Sequence, residues 1–161
     1  MNEEIITHSE AETEEWGQEV GRALRSGDVV ALVGNLGAGK TCLARGIARG
    51  MGIREPVTSP TFILIAEYHA PNGLQLYHVD CYRLGPDAEA EAADIGLEDA
   101  LGGPGVCVVE WAERIEGLLP PNCLRIDLDS PRQGVRRLRL KATGPFASRL
   151  LHAPQDAPEN C

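Results

Sequence analysis

Residues 29–41 read Val29-Val30-Ala31-Leu32-Val33-Gly34-Asn35-Leu36-Gly37-Ala38-Gly39-Lys40-Thr41. Five consecutive apolar residues, three of them β-branched, predict a buried strand, and three glycines within the next six positions predict a tight loop. Residues 42–48 continue as a helix. Because a strand precedes the loop and a helix follows it, the match to G-x-x-x-x-G-K-[ST] predicts a P-loop and hence a nucleoside triphosphate site.

The residue types of this loop suit phosphate binding for separate reasons. Glycines at positions 34, 37 and 39 allow positive φ and close approach, so successive N–H groups can surround a β-phosphate. The helix that begins near Gly39 directs its unpaired N–H groups and the positive end of its dipole at the same anion. Lys40 supplies a charge for the β- and γ-oxygens, and the Thr41 hydroxyl is placed to ligate Mg²⁺.

Length and hydropathy predict one globular domain outside the membrane. The chain has 161 residues, 43% of them hydrophobic, which is enough for a single core. No apolar run approaches the ~20 residues of a membrane span, and the first residues, Met1-Asn2-Glu3-Glu4, are acidic where a signal peptide would be positive. We expect a cytoplasmic protein with no membrane partner, a P-loop domain over residues 1–152 and a flexible tail over 153–161.

The net charge of −9 argues against direct binding of nucleic acid, which needs a basic face. One basic cluster lies near the C-terminus and consists of Arg132, Arg136, Arg137, Arg139 and Lys141. We interpret it as the solvated face of a β-hairpin, with contact to nucleic acid as the alternative.

The five cysteines are odd in number and form no C-x-x-C pair, which predicts reduced thiols rather than disulfides or a zinc site. Cys42 and Cys81 adjoin candidate site residues. We interpret both as small buried hydrophobes, with thiol sensing as the alternative.

The remaining segments predict an α/β fold with a mixed sheet. Ser9 and Glu12 form a capping box for a helix that runs to about Arg25. Strands over 62–68 and 74–80 are joined by a Pro-Asn-Gly turn too short for a parallel crossover, so they must be antiparallel. Further strands are predicted over 106–109, 124–128 and 135–140, with helices over 85–95, 96–101, 112–119 and 144–151. We expect a single P-loop NTPase domain with a mixed parallel/antiparallel sheet flanked by helices.

Two acids end predicted strands, where ligands gather in open α/β sheets. Asp80 is the last residue of the strand over 74–80, and Glu110 follows the apolar run over 106–109. Both are candidates for the Mg²⁺ site, and Asp80 could instead orient the attacking water. His78 has no visible partner in the sequence, and we interpret it as a structural hydrogen-bonding residue. Trp111 is interpreted as a packing or interface residue.

Four motifs occur in an order that closely resembles the bacterial TsaE family. They are Gly34-Asn35-Leu36-Gly37-Ala38-Gly39-Lys40-Thr41, Ser59-Pro60-Thr61-Phe62, His78-Val79-Asp80-Cys81-Tyr82-Arg83-Leu84 and Val109-Glu110-Trp111. The resemblance spans nearly the whole chain. It implies the ATPase of tRNA threonylcarbamoyladenosine biosynthesis, which works with the TsaB and TsaD proteins and meets tRNA only through that complex.

The resemblance also implies roles for individual residues. Catalysis would involve Lys40, Asp80 and Glu110, and Mg²⁺ would be bound by Thr41 with Glu110 or Asp80. The residues implied for ATP or ADP are Asn35, Leu36, Gly37, Ala38, Gly39, Lys40, Thr41, Cys42, Glu10, Thr13, Thr61 and Gly134. Within this set, Glu10, Thr13 and Gly134 would flank the base or ribose, and residues 59–61 would form a switch-like loop. Val135 stands where a basic residue is frequent in the family, which weakens an assignment of Arg136 to phosphate binding.

Other P-loop proteins are the alternatives. A small-molecule kinase needs an arginine-containing lid, whereas residues 85–105 are acidic. A GTPase needs an Asn-Lys-x-Asp motif, which the sequence lacks. A nucleotide-dependent scaffold that does not hydrolyse ATP is the third reading. With no identifiable arginine finger in the sequence, we expect slow hydrolysis without partners.

Overall fold

The computed structural model describes residues 2–35, 37–58 and 65–145, together with Arg149. The strands of this part are β1 (Asn2–Thr7), β2 (Val29–Val33), β3 (Ile65–His69), β4 (Gln75–Asp80), β5 (Val106–Glu110), β6 (Leu124–Arg132) and β7 (Val135–Ala142). The helices are α1 (Glu10–Ala23), α2 (Lys40–Gly50), α3 (Ala88–Asp94) and α4 (Leu97–Gly102), followed by a 3₁₀ helix over Ala112–Leu118.

The seven strands form one mixed sheet in the order β1-β7-β6-β2-β5-β4-β3. The four central strands β6, β2, β5 and β4 run parallel to one another. Antiparallel partners complete both sides, with β3 on β4 at one edge and β7 and β1 beyond β6 at the other. The predicted α/β fold with a mixed sheet is confirmed, and the P-loop strand β2 lies at its centre.

Alternate residues of β2 face two separate cores, which explains why its sequence is apolar throughout. Val30 and Leu32 pack with α1 and α2 on one face of the sheet. Val29 and Ala31 pack with α3, α4 and the 3₁₀ helix on the other face. The structure is therefore a three-layer α/β/α arrangement, with the acidic segment that a kinase would use as a lid packed on the face opposite α2.

Helices α1 and α2 approach closely because glycines stand where their backbones meet. A Cβ atom added to Gly21 would lie 2.2 Å from the carbonyl oxygen of Ile47, and one added to Gly50 would lie 2.1 Å from that of Gln18. Gly17 and Gly46 are equally restricted, at 2.8 and 2.3 Å from backbone oxygens. No side chain fits between the two helices at these positions.

Several element boundaries differ from the prediction. Strand β1 was not predicted; it is a charged edge strand that pairs with β7, and Glu4 lies 3.5 Å from Arg139 there. Helix α3 begins at Ala88 rather than near residue 85, because Pro86 and Asp87 form the turn that leads into it. The segment over 112–119 is a 3₁₀ helix with non-helical dihedral angles at Ile115. Strands β6 and β7 are longer than predicted because their pairing continues past the alternating core residues.

Some predictions lie outside the described residues. These are the site assignments for Leu36 and Thr61, the switch-like loop over 59–61, the first three residues of the strand over 62–68, most of the helix over 144–151 and the tail over 153–161. Among the described residues, no helix combines the length and the apolar character that crossing a membrane requires.

Candidate functional site

The P-loop has the backbone geometry that its glycines predicted. Gly37 and Gly39 adopt φ angles of 78° and 103°, and Gly39 forms the N-cap of α2. These are left-handed conformations that a residue with a Cβ adopts at a cost. At Gly34 a Cβ would lie 2.5 Å from the carbonyl oxygen of Leu128, so β6 closes against the loop. The loop thus presents main-chain N–H groups at a helix N-terminus, which is the physical basis of an anion site.

Lys40 is folded back onto the loop that carries it. Its ammonium donates to the carbonyl oxygens of Gly34 and Asn35, the latter at 2.9 Å. The same nitrogen lies 4.1 Å from the centre of the Trp111 ring. Burial lowers the pKa of Lys40, and the nearby carboxylates of Glu110, Glu113 and Asp80 act in the opposite direction. A bound polyphosphate would add negative charge next to Lys40, which favours the charged form of a buried ammonium.

Glu110 lies at the carboxyl end of β5, between the P-loop helix and strand β4. Its Oε1 accepts a hydrogen bond of 2.9 Å from the Thr41 hydroxyl, and its Oε2 lies 2.6 Å from Nε2 of His78. The side chains of Glu110 and His78 are 3% and 1% exposed. His78, interpreted from the sequence as having no visible partner, therefore has one. The structure thus brings Thr41 and Glu110 together, the pair that the family resemblance implied, with Asp80 as its alternative.

Asp80 lies beside Glu110, because the two residues are opposite each other in the parallel β4–β5 pair. Its Oδ1 accepts a 2.9 Å hydrogen bond from the backbone N–H of Tyr82. Asp80 is not among the described residues that line the cleft over the P-loop. Of the two acids that competed for the metal in the sequence, Glu110 is the one hydrogen-bonded to Thr41.

A cleft of about 550 Å³ opens over the P-loop. Three segments enclose it: the start of α1, the P-loop with the first turn of α2, and the turn between β6 and β7. The cleft contains Glu10, Thr13 and Gly134 beside residues 37–42, so the predicted base or ribose residues and phosphate residues share one cavity. Its lining residues are His8, Ser9, Glu10, Thr13, Gly37, Ala38, Gly39, Lys40, Thr41, Cys42, Arg45, Glu110, Gln133, Gly134 and Arg136.

The start of α1 is held in place by the predicted capping box. Ser9 accepts from the Glu12 N–H at 3.1 Å, and Glu12 accepts from the His8 N–H at 2.6 Å. The buried Thr13 hydroxyl is 2.6 Å from that of Thr7 in β1. Cys42 donates from its thiol to the carbonyl oxygen of Glu10 at 3.4 Å. These bonds fix α1 to both β1 and the P-loop helix.

Three residues of this region were missed as site residues by the sequence reasoning. Arg45 lines the cleft one turn after Thr41, a spacing of four that the helical period could have indicated. Arg136 reaches the P-loop from β7, and a Cβ on Gly39 would lie 3.4 Å from its Nε. Trp111 contacts Lys40 because its backbone has a φ of 58°, rare for so large a side chain. No local sequence signal gives either of these last two placements.

A P-loop after the central strand, with a buried acid at the end of the neighbouring parallel strand, defines a P-loop nucleotide-binding protein of the α/β class. Comparison with known proteins specifies the family. The sequence model described as "Threonylcarbamoyl adenosine biosynthesis protein TsaE" matches residues 7–138. The chain belongs to the TsaE family.

Individual relatives agree with this assignment. The chain is 45% identical over 133 residues to the tRNA threonylcarbamoyladenosine biosynthesis protein TsaE of Treponema pallidum, covering 83% of this chain and 96% of that protein. The Bacillus subtilis protein of the same name is 44% identical over 120 residues, with coverage of 74% and 73%. A crystal structure of YdiB from Bacillus subtilis superposes with a TM-score of 0.82 at 32% identity, covering 98% of this chain and 97% of that one.

Proposed function

We propose that this protein is the ATPase component of tRNA threonylcarbamoyladenosine synthesis, and that it hydrolyses ATP to ADP and phosphate. The observation that carries the proposal is the Thr41–Glu110 hydrogen bond of 2.9 Å at the P-loop. This hydrogen bond joins two parts of the site: helix α2, whose N-terminus would bind the phosphates, and the buried acid that would bind the metal. Membership of the TsaE family supplies the pathway.

The residues around Thr41 fit Mg²⁺ better than a metal that needs a complete protein cage. Mg²⁺ takes one or two protein oxygens and fills its octahedron with phosphate oxygens and water. The Thr41 hydroxyl and the Glu110 carboxylate are hard oxygen donors of this kind. In the described ranges, no three or more His, Cys, Asp or Glu side chains lie close enough together to hold a metal ion. When bound, Mg²⁺ would neutralise charge on the β- and γ-phosphates.

The chain's own groups would then bind and orient the triphosphate. The amides of the P-loop and the Lys40 ammonium would stabilise negative charge as water attacks the γ-phosphorus and the bond to the ADP oxygen breaks. ADP and phosphate leave, and the proton of the attacking water passes to solvent or to phosphate. Asp80, beside Glu110 at the sheet edge, is the proposed residue near the γ-phosphate.

The layout of the cleft favours hydrolysis over transfer to a small molecule. A kinase closes an arginine-bearing lid over a second substrate. Here α3 and α4 are packed into the core on the face of the sheet opposite α2, through buried residues that include Ala92, Leu97 and Leu101. They contribute no residue to the described lining of the cleft.

The partners of the reaction are proposed from the family alone: TsaD and TsaB, with tRNA reached only through them. Since Lys40 is held by backbone carbonyls and Arg136 by Ser130, we expect weak hydrolysis until partners rearrange the site.

Steady-state release of phosphate tests this proposal, measured for the protein alone, with TsaB and TsaD, and with tRNA added last. We expect hydrolysis to rise with the partner pair and to be lost in Lys40→Ala and Glu110→Gln. Arg137→Ala, whose side chain pairs with Asp129 away from the cleft, should behave as wild type. Equal rates in all variants would mean that the site lies elsewhere. Equal rates with and without TsaB and TsaD would contradict activation by the partners.

A further inference from the structure

His78 is a fully buried polar residue whose described hydrogen bonding is directed at one group. It is 0% exposed, on strand β4. Its Nε2 lies 2.6 Å from Oε2 of Glu110. Its Nδ1 is buried and has no hydrogen-bond partner among the described residues. Because a carboxylate only accepts hydrogen bonds, the imidazole donates through Nε2–H.

The main effect of the His78 imidazole is on the Glu110 carboxylate and not on the packing of the core. Leu76, two residues earlier on β4, fills the same face of the sheet as a simple apolar side chain. An apolar residue at 78 would likewise pack without leaving the imidazole Nδ1 unpartnered, which is a cost for a buried polar atom. The specific effect of the imidazole is therefore exerted on the Glu110 carboxylate.

Glu110 is held from two opposite sides. His78 fixes Oε2, and Thr41 donates to Oε1. With both oxygens engaged, the carboxyl group cannot rotate about its terminal bond without breaking a hydrogen bond. Oε1 is consequently kept facing Thr41 and the P-loop, which is where the proposed metal would be shared with the phosphates.

We propose that His78 is a positioning residue for the metal side of the site: it orients Glu110 so that Oε1 and the Thr41 hydroxyl present one pair of oxygens to a divalent cation. The inference rests on the proposed function, since it assumes that a metal–nucleotide complex binds here. Partners that orient metal-binding side chains in this way typically affect metal affinity by about 10- to 100-fold.

Binding of Mn²⁺ in the presence of ADP tests the proposal without hydrolysis, because any loss of the electron paramagnetic resonance signal of free Mn²⁺ beyond the loss that ADP alone causes reports Mn²⁺ bound at the protein. His78→Leu removes the donor and keeps the volume filled, and we expect Mn²⁺ to bind about 10- to 100-fold more weakly. The affinity for ADP in EDTA should stay within about twofold of wild type, because the P-loop amides are untouched. A purely structural role for His78 would weaken both affinities together.

A second pair of variants separates the loss of the hydrogen bond from a general loss of folding. The side-chain amide of Gln reaches the position of Nε2, whereas that of Asn is too short. His78→Gln should restore Mn²⁺ binding and His78→Asn should not, at equal melting temperatures. Leu76→Ala, on the same face of β4 and 1% exposed, is the matched control that loses stability and keeps the affinity for Mn²⁺.

The failures of the two proposals are distinguishable. If wild-type protein with ADP removes no more Mn²⁺ signal than ADP alone, the proposed metal–nucleotide site is wrong. If wild type binds but His78→Leu binds equally well, or Leu76→Ala weakens binding as much, the positioning role of His78 is overturned. Equal binding by the Gln and Asn variants would overturn it as well.

Discussion

The ammonium of Lys40 lies 4.1 Å from the centre of the Trp111 ring, so the P-loop lysine is paired with an aromatic side chain in the structure described here. Trp111 in turn packs on Tyr82, with ring centres 4.9 Å apart. Tyr82 is 42% exposed. The aromatic pair therefore connects the P-loop lysine to the protein surface.

Trp111 should report nucleotide binding by its fluorescence. Transfer of the Lys40 ammonium from the ring to phosphate oxygens removes a cation–π contact and changes the surroundings of the indole. The chain has two tryptophans, and Trp16→Phe leaves only Trp111. We expect emission in that variant to change with ADP or ATP and to give the same Kd as calorimetry. A response that survives in Trp111→Phe instead would contradict this prediction.

Arg136 and Arg137 are neighbours in β7 that should differ sharply in their effect on nucleotide affinity. Arg136 lines the cleft beside Gly39, whereas Arg137 pairs with Asp129 and holds the pKa of that carboxyl below its usual range. Losing a charge-assisted hydrogen bond to phosphate costs about 1.5 kcal/mol or more, so Arg136→Ala should raise the Kd for ATP about tenfold.

Arg137→Ala is the matched control for this measurement, since it removes the same charge from the same strand. Its Kd for ATP should stay within about twofold of wild type, because Arg137 pairs with Asp129 and is not among the described residues that line the cleft. Isothermal titration calorimetry of both variants makes the comparison. Equal losses would mean that only the overall charge of the hairpin matters.

Gly21→Ala should destabilise the protein strongly. The added Cβ would lie 2.2 Å from the Ile47 carbonyl oxygen, and the two helix backbones must separate to admit it. Overpacking of this kind typically costs about 1–3 kcal/mol in the free energy of unfolding, and more where backbone atoms collide. Urea denaturation measures the loss. Gly102→Ala, where a Cβ meets nothing within 4 Å, should be neutral or slightly stabilising, and a similar loss there would show that α1–α2 packing is not the cause.

Stability should fall as the pH rises above about 8.5, the ordinary pKa of a cysteine thiol in an unfolded chain. Burial raises the pKa of Cys123 to about 11 and that of Cys81 to about 12. Across this window the folded state keeps protons that the unfolded state has lost, so the stabilisation is complete below about pH 8.5 and declines toward the folded pKa.

Cys123→Ala separates this effect from other alkaline titrations. The free energy of unfolding should depend less steeply on pH in the variant than in wild type, by up to about 1.4 kcal/mol per pH unit between pH 9 and 10. Urea denaturation across that range gives the two slopes. Parallel curves would mean that the Cys123 thiol titrates alike in the folded and unfolded states.

The fold could be predicted from the sequence wherever the decisive signals were local. The P-loop strand, the α1 capping box and the short turn between β3 and β4 each depend on residues within a few positions of one another. Strand β1 escaped prediction because its partner residues lie in β7, at the other end of the chain. An edge strand with charged residues has no apolar alternation to reveal it.

The candidate site likewise contains some contacts that the sequence indicated and others that depend on the order of strands in the sheet. P-loop chemistry placed a metal beside the phosphates, and the resemblance to the TsaE family implied Thr41 with Glu110 or Asp80 as its ligands. The partner of His78 could not be predicted, since it depends on the register that sets Asp80 opposite Glu110 across β4 and β5. Arg136 reaches the cleft only because β6 lies next to β2 and carries the β6–β7 turn to the P-loop. Sheet order, which a single sequence does not encode locally, supplies these contacts.

The glycine contacts between α1 and α2 determine which wall of the cleft is free to move. Because the two backbones touch along most of their length, at Gly17 and Gly46 as well as at Gly21 and Gly50, we expect α1 and α2 to form one rigid wall of the cleft. We therefore expect any opening or closing of the cleft to come from the opposite wall, the turn that carries Gln133 and Gly134. We expect ATP to slow amide hydrogen exchange in that turn far more than in α1, and the reverse pattern would place the hinge between the helices.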